Sequence, residues 1–184
     1  NPVSPEHPHE TATILFKTEQ ELLSDLNDVL DKFDASAESL ADALAWIESR
    51  SEQELRNASF LRAFSTGYPI VQRFIGTTQT VDRTTFTEYV AQEHLSCFVD
   101  IIDLYFDSPL TRLGITLVDT PGADSINARH TDVAFEYIKD ADAILFVTYF
   151  NHAFARADRE FLIQLGRVKD AFELDKMFFI VNAI

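Results

Sequence analysis

Apolar residues recur at helical spacing through much of the first half of the chain. The first ten residues are rich in Pro, His and Glu, which suits an irregular loop, and residues 11–17 are β-rich. From Thr18 the period changes, because apolar residues such as Leu22 and Leu26 lie on one helical face. Thr18 and Glu21 have the spacing of a capping box, so we predict that a helix begins there.

Three more helical patterns follow before residue 94. One covers residues 40–47. The next opens at a second capping box, residues 51–54, and is broken by the Gly-Tyr-Pro sequence at 67–69. The last covers residues 84–93, with Thr84 or Thr85 expected as its N-cap. About four helices are therefore expected before the pattern changes.

After His94 the pattern becomes that of a sheet. Residues 95–106 and 115–118 are β-rich and are separated by a turn, which predicts an antiparallel hairpin. Residues 143–149 and 177–181 are continuously apolar, as expected for strands covered on both faces. Helical stretches separate the last three strands, at residues 131–139 and 157–169. Strands alternating with helices predict right-handed parallel crossovers and an α/β domain.

The negative charge of the chain limits the kinds of molecule that it is expected to bind. The 184 residues carry a net charge of -15, and residues 19–57 alone hold eleven acidic against three basic side chains. Nucleic acid and anionic lipid are therefore excluded as expected partners of this surface. With 46% apolar residues the chain can close the core of one domain.

The cysteine content, the apolar runs and the N-terminus indicate the kind of protein and compartment to expect. Cys97 is the single cysteine, so no internal disulfide can form, and we interpret it as a buried apolar residue of a protein in a reducing compartment. No apolar run approaches the roughly 20 residues of a membrane span. The N-terminus has neither Met nor a signal pattern, and we expect it to be a cut inside a longer protein.

The first candidate site is an Asp-x-x-Gly sequence at the end of a predicted strand. Asp119 follows the run 115–118, and Gly122 comes three residues later. A carboxylate at a strand end can hold the hydration shell of Mg²⁺, and the backbone N–H of a glycine can approach a terminal phosphate closely. The alternative is an ordinary turn between a strand and a loop.

Two more positions complete this interpretation. Asn182 ends the last predicted strand, where its side-chain amide can brace a phosphate loop and meet a purine edge; a simple turn residue is the alternative. An Asp at position 185, which would pair with guanine, lies beyond the chain. A hydroxyl near residues 8–14, before the first strand, can complete the Mg²⁺ shell.

Histidines near these positions are given simpler roles. We interpret His7, His9 and Glu10 as a solvated loop rather than a metal site, since no partner cluster follows them. His130 and His152 are interpreted as surface or hydrogen-bonded histidines.

On these residues the chain resembles the dynamin superfamily of large GTPases, and most closely the bacterial dynamin-like proteins. Asp119-Thr120-Pro121-Gly122 is similar to the third G motif of the family, and Asn182 to the first residue of the fourth. Residues 8–14 are similar to the Pro-Thr-Thr-Ala segment of bacterial members, in which a Thr serves as the second G motif. Thr11 is the best match, although the assignment is open by one or two positions.

The resemblance implies a fold and a site. The fold is a partial P-loop GTPase G domain of the dynamin type over residues 1–184, α/β with a mixed, mostly parallel sheet. A helical insertion at residues 19–94 lies between the second and third motifs. The implied ligands are GTP or GDP and Mg²⁺. In this resemblance Thr11 is catalytic and binds the metal, and Asp119 binds the metal through water. The nucleotide contacts are implied for Asp119, Thr120, Pro121, Gly122 and Asn182.

Two departures from the family pattern bear on activity. The chain has five glycines and nowhere contains Gly-x-x-x-x-Gly-Lys-Ser/Thr, the phosphate-binding loop whose N–H groups and Lys hold the β- and γ-phosphates. Ala183 stands where the usual Asn-Lys-x-Asp has Lys, which leaves guanine preference open. We therefore expect this fragment to be inactive without the rest of the parent.

The resemblance also implies the biology of the intact parent. It would hydrolyse GTP to GDP, self-associate through its G domains and remodel or fuse membranes, with the membrane-binding part elsewhere, as a cytoplasmic, peripherally membrane-associated protein. The alternative is a degenerate G domain that acts as a scaffold through the acidic helices at residues 19–56. An unrelated α/β hydrolase would need a nucleophile or a dinucleotide fingerprint, and neither is visible in the sequence.

Overall fold

The chain forms two units, residues Asn1–Leu117 and Val118–Ile184. The computed structural model describes residues 1–56, 58–120, 138, 140–152, 158–160, 162–163 and 176–182. The predicted helices at 131–139 and 157–169 lie mostly outside these residues, and so does His130.

A three-stranded antiparallel sheet is the centre of the first unit. Its strands are β1 (Thr11–Phe16), β2 (Thr78–Asp82) and β3 (Val99–Tyr105), in the order β2-β1-β3. In β1 every second residue is buried, which is the period of a strand with one face on the core. The residues 11–17 were predicted to be β-rich, and β1 confirms this.

Five α-helices precede β3 in the part of the chain that the structure describes, and the core fills the space between them and the sheet. They are α1 (Glu19–Leu30), α2 (Leu40–Glu48), α3 (Ser59–Val71), α4 (Arg83–Ala91) and α5 (Glu93–Ser96). The largest fully buried side chains of this core include Phe16 of β1, Leu26 of α1, Phe64 of α3 and Phe98. The range 19–94, predicted as a helical insertion, thus also contains β2, which joins the sheet.

The start of α1 confirms the first capping box. The Thr18 hydroxyl accepts a hydrogen bond from the Glu21 N–H at 3.3 Å, and the Glu21 carboxylate accepts from the Thr18 N–H at 2.7 Å. These reciprocal bonds satisfy two donors that a helix start leaves without a partner. The helix begins where the sequence predicts, because the signal is local.

The predicted course of the next long helix is wrong at both ends. The Ser51–Glu54 box forms its hydrogen bonds, but only turns follow it and α3 begins at Ser59. At the other end α3 continues through Pro69 to Val71. Pro69 removes the one helical hydrogen bond that its own N–H would donate to the carbonyl four residues earlier, and burial of Gly67 and Val71 holds the last turn on the core.

Strand β2 and the true cap of α4 were missed. Residues of β2 are alternately exposed and half-buried, so they show little apolar periodicity, and pairing with β1 makes them a strand. The strand ends in Asp82, whose carboxylate accepts from the Thr85 N–H at 2.8 Å and caps α4. This hydrogen bond lowers the pKa of Asp82. Thr84 and Thr85, the predicted caps, therefore lie inside the helix.

The predicted hairpin between residues 95–106 and 115–118 is wrong. The first segment begins in the last residues of α5 and contains β3, and β3 pairs with β1 instead. The chain then enters a short helix, α6 (Pro109–Arg112), and turns at Gly114, which has a φ of 79°. Residues 115–120 form no strand, and Leu117 is 66% exposed. A β-rich segment without a neighbouring backbone to pair with does not become a strand.

Strands β4 (Ile144–Tyr149) and β5 (Met177–Asn182) of the second unit confirm the last two predicted strands. They pair in parallel, with Ile144 opposite Met177 and Tyr149 opposite Asn182. The expectation that both faces are covered is wrong for these strands. Most of their apolar side chains are exposed.

A buried ion pair ties the end of β1 to its surroundings. Asp25 of α1 is 5% exposed, and its carboxylate accepts a hydrogen bond from the Lys17 ammonium at 2.9 Å. The same ammonium donates to the carbonyl of Cys97 at 3.3 Å. Lys17 therefore joins β1, α1 and the segment before β3. Among the described residues, no helix is long and apolar enough to cross a bilayer.

The thiol of Cys97 should be unreactive in the folded protein. Cys97 is half-buried, not fully buried as predicted, and this burial raises the pKa of its thiol to about 12, so almost no thiolate exists near neutral pH. We expect the Cys97 peptide to stay unalkylated when the native protein is treated with iodoacetamide at pH 8, as measured by mass spectrometry. The same treatment in denaturant should label it fully. Rapid labelling of the native protein would contradict the raised pKa of the thiol.

Candidate functional site

Thr11 lies at the start of β1, the central strand of its sheet. In the register it stands between Asp82 of β2 and Tyr105 of β3. Its hydroxyl donates a hydrogen bond to the carbonyl of Pro8 at 2.7 Å. A hydroxyl that donates its proton keeps two lone pairs, so the oxygen can still bind a cation. The half-buried position leaves it accessible.

Glu10, the residue before Thr11, has an unusual backbone. Its φ is 61°, in the left-handed region that non-glycine residues rarely occupy. Its N–H donates to the carbonyl of Tyr105 at 2.9 Å, and its carboxylate forms an ion pair with Arg83. Sequence reasoning missed this pair, because nothing in the local pattern connects residues 73 positions apart.

The two histidines before Glu10 pack on the end of β3. The His7 ring stacks on Tyr105 with 4.1 Å between centroids, so the predicted solvated loop is wrong for this residue. His9 is exposed, and its Nδ1 accepts a hydrogen bond from the Asp107 N–H at 2.9 Å. The segment before Thr11 is therefore held against the first unit by specific contacts.

Asp119 and Thr120 belong to the second unit. Asp119 is exposed, and no hydrogen bond or ion pair within the described ranges engages its carboxylate. It does not follow a strand, which corrects the expectation that it sits at a strand end. Pro121 and Gly122 lie outside the described residues, so the predicted role of the glycine N–H stays a prediction.

Asn182 lies where the sequence predicts. It is the last residue of β5 and stands opposite Tyr149, the last residue of the parallel strand β4. The carboxyl ends of parallel strands are the usual ligand-binding edge of an α/β sheet. Ala183 and Ile184 lie outside the described residues. The strand-end position of Asn182 is confirmed, and its contact with a base stays a prediction.

The donors fit a hard divalent cation. A hydroxyl and a carboxylate, both oxygen ligands, are the groups that Mg²⁺ binds, directly or through its waters. Asp119 offers an exposed carboxylate and Thr11 an oxygen with lone pairs, whereas Asp82, beside Thr11 in the register, is committed to capping α4. Each donor is described within its own unit.

The sequence matches known proteins along nearly its whole length. A profile described as the dynamin family matches residues 3–184. Dynamin-like protein A of Bacillus subtilis (strain 168) is 37% identical over 178 residues, 95% of this chain. An uncharacterised protein of the xynA 3' region in Caldicellulosiruptor sp. (strain Rt8B.4) is 31% identical over 84 residues, 46% of this chain.

The matched relatives are much longer than the matched region. The alignment spans 15% of the Bacillus protein and 20% of the Caldicellulosiruptor protein. The match to the family, in contrast, covers nearly the whole chain and includes the predicted positions Thr11, Asp119–Gly122 and Asn182. The chain belongs to the dynamin family, as part of a G domain with the mixed α/β fold of P-loop GTPases.

Proposed function

We propose that the protein to which this chain belongs binds guanine nucleotide and hydrolyses GTP to GDP with Mg²⁺. The observation that carries the proposal is the position of Asn182, which ends β5 opposite the end of β4, at the carboxyl ends of a parallel pair where α/β sheets usually bind ligands. Family membership supplies the nucleotide. The exposed carboxylate of Asp119 and the hydroxyl of Thr11 supply oxygen donors suited to the metal.

Each residue has one role in this proposal. Asp119 would hold a water of the metal shell, and Thr11 would contribute its hydroxyl oxygen when the γ-phosphate is present. The segment Thr120-Pro121-Gly122 would supply a backbone N–H to that phosphate, and Asn182 would contact the purine edge. The Mg²⁺ ion, when bound, neutralises charge on the phosphates. Positioning and charge stabilisation account for most of the catalysis in such sites.

The cellular role is proposed from the family. The whole protein would self-associate through its G domains and use GTP hydrolysis to remodel or fuse membranes, as a cytoplasmic protein bound peripherally to a membrane. Residues 19–57, with eleven acidic side chains, are repelled by anionic lipid. Membrane contact is therefore assigned to other parts of the protein.

The first test compares the full-length protein with residues 1–184 alone. We expect isothermal titration to show GTP and GDP binding by the full-length protein only, because this chain contains no phosphate-binding loop to hold the β- and γ-phosphates. GTP turnover, measured as phosphate release, should follow the same division. A circular dichroism spectrum of the fragment serves as the control for folding.

Two results would contradict the proposal. Turnover by the fragment at the rate of the full-length protein would show that the missing loop is dispensable. A full-length protein that neither binds nor hydrolyses GTP would favour the scaffold alternative, in which the acidic helices α1 and α2 dock a partner protein. Ala183, in place of the usual Lys, is the sequence feature that keeps this alternative open.

A further inference from the structure

Next to Thr11 an ion pair connects the residue before strand β1 with the start of α4. Glu10 immediately precedes Thr11, and Arg83 immediately follows Asp82, which stands opposite Thr11 in the β1–β2 register. Arg83 is also the first residue of α4. The Glu10–Arg83 pair therefore clamps the beginning of β1 to the junction between β2 and α4.

The ion pair involves a residue, Glu10, whose backbone conformation is unfavourable. The φ of Glu10 is 61°, and a non-glycine residue persists in this region only where surrounding contacts hold it. Two contacts do so here: its N–H donates to the Tyr105 carbonyl at 2.9 Å, and its carboxylate pairs with Arg83. One contact anchors the backbone to β3, and the other anchors the side chain to α4.

The conformation of Glu10 determines where the Thr11 hydroxyl points. The chain from Pro8 to Thr11 forms a turn closed by the Pro8 carbonyl, which accepts from the Thr11 N–H at 3.3 Å and from its hydroxyl at 2.7 Å. Glu10 lies inside this turn, so a change in its φ moves Pro8 relative to Thr11. The hydroxyl would then lose the acceptor that orients its lone pairs.

We propose that Arg83 and Glu10 are positioning residues for Thr11: their ion pair holds the turn that orients the Thr11 hydroxyl, the group that would bind the metal. The inference rests on the proposed function, since it assumes that Thr11 binds Mg²⁺. Arg83 acts through Glu10 and does not itself touch the nucleotide.

The exposure of the pair separates this role from a structural one. The side chains of Arg83 and Glu10 are 62% and 40% exposed. Exposed ion pairs contribute little to folding free energy, because water screens them and both side chains lose freedom. Variants of either residue should therefore fold normally, and an effect on turnover would come from the geometry of the turn.

The test uses Arg83→Ala, Glu10→Gln, Arg83→Lys and the swapped double variant Glu10→Arg/Arg83→Glu in the full-length protein. We expect each of the first two to lower kcat about two- to fivefold, the effect of losing one exposed pair. The KM for GTP should stay unchanged, and the dissociation constant for Mg²⁺, measured by calorimetric titration with a non-hydrolysable GTP analogue bound, should rise by a similar factor. Arg83→Lys and the swap should restore much of the loss, because each retains a pair of opposite charges.

A matched control is available in the same unit. Arg50 and Glu54 form another exposed ion pair, with side chains 41% and 51% exposed, between residues of the turns that precede α3. Arg50→Ala should change neither kcat nor the dissociation constant for Mg²⁺. Melting temperatures of all variants should match that of the unaltered protein.

The outcomes distinguish a failure of the positioning role from a failure of the proposed GTPase function. If Arg83→Ala behaves like Arg50→Ala while Thr11→Ala and Asp119→Ala lose turnover, the positioning role is wrong and the GTPase site stands. If Thr11→Ala keeps full turnover while Asp119→Ala loses it, the Thr11 assignment is wrong, and the positioning role falls with it. If Asp119→Ala also keeps full turnover, the proposed function itself is wrong.

Discussion

Replacing Asp119 with alanine in the full-length protein should lower the rate of GTP turnover by about 10²–10³-fold, the size of the loss when one preorganised polar group is removed from an active site. The reason is that the carboxylate at this position is proposed to hold the hydration shell of the metal. Phosphate release at saturating GTP and Mg²⁺ is the measurement. Since Asp119 is exposed, its removal should leave the fold intact.

The control for this variant comes from the same unit. Asp140 is also an exposed carboxylate, and Asp140→Ala should keep normal turnover. Asp119→Asn keeps the shape but removes the charge, so it should be nearly as inactive as the alanine variant. Equal turnover by the Asp119→Ala and Asp140→Ala proteins would exclude Asp119 from the metal site.

Replacing Gly67 with alanine should destabilise the first unit severely. A Cβ built at Gly67 in α3 would lie 1.7 Å from the carbonyl oxygen of His94 and 2.8 Å from the Phe98 ring. Backbone of α5 would have to move, and overpacking of this kind costs about 1–3 kcal/mol or more. The helix propensity of alanine over glycine returns only about 1 kcal/mol. We therefore expect the steric clash to outweigh the gain in helix propensity.

The measurement is the thermal midpoint followed by circular dichroism. For a domain of this size each kcal/mol moves the midpoint by about 2–4 °C, so a fall of several degrees is expected. Thr66→Ala is the matched control, because Thr66 is the preceding residue of α3 and is exposed. An unchanged or higher midpoint for Gly67→Ala would mean that α3 and α5 do not meet at this glycine.

Local signals predicted the parts of the fold that depend on a few neighbouring residues. The box at Thr18 and Glu21 specifies a helix start because both hydrogen bonds lie within four residues. The same bonds form at Ser51 and Glu54, yet α3 begins only at Ser59. A capping box closes one turn, and whether a helix continues depends on the surface against which it packs.

In the candidate site, too, some positions were predicted from the sequence and others were not. Asn182 was placed correctly because a continuously apolar run followed by a polar residue marks the end of a strand. The strand expected before Asp119 was wrong, because a strand needs a backbone beside it and the apolar run 115–118 has none within the described residues. The Glu10–Arg83 pair escaped notice because its partners are distant in sequence.

Residue order alone thus determined the start of α1, the two parallel strands and membership of the dynamin family. Folding decided the rest: that β3 pairs with β1, that polar β2 becomes a strand, and that Glu10 takes a left-handed backbone beside Thr11. The division has a physical cause. Caps and turns satisfy their hydrogen bonds within a few residues, whereas sheet pairing and packing depend on partners that only the closed chain brings together.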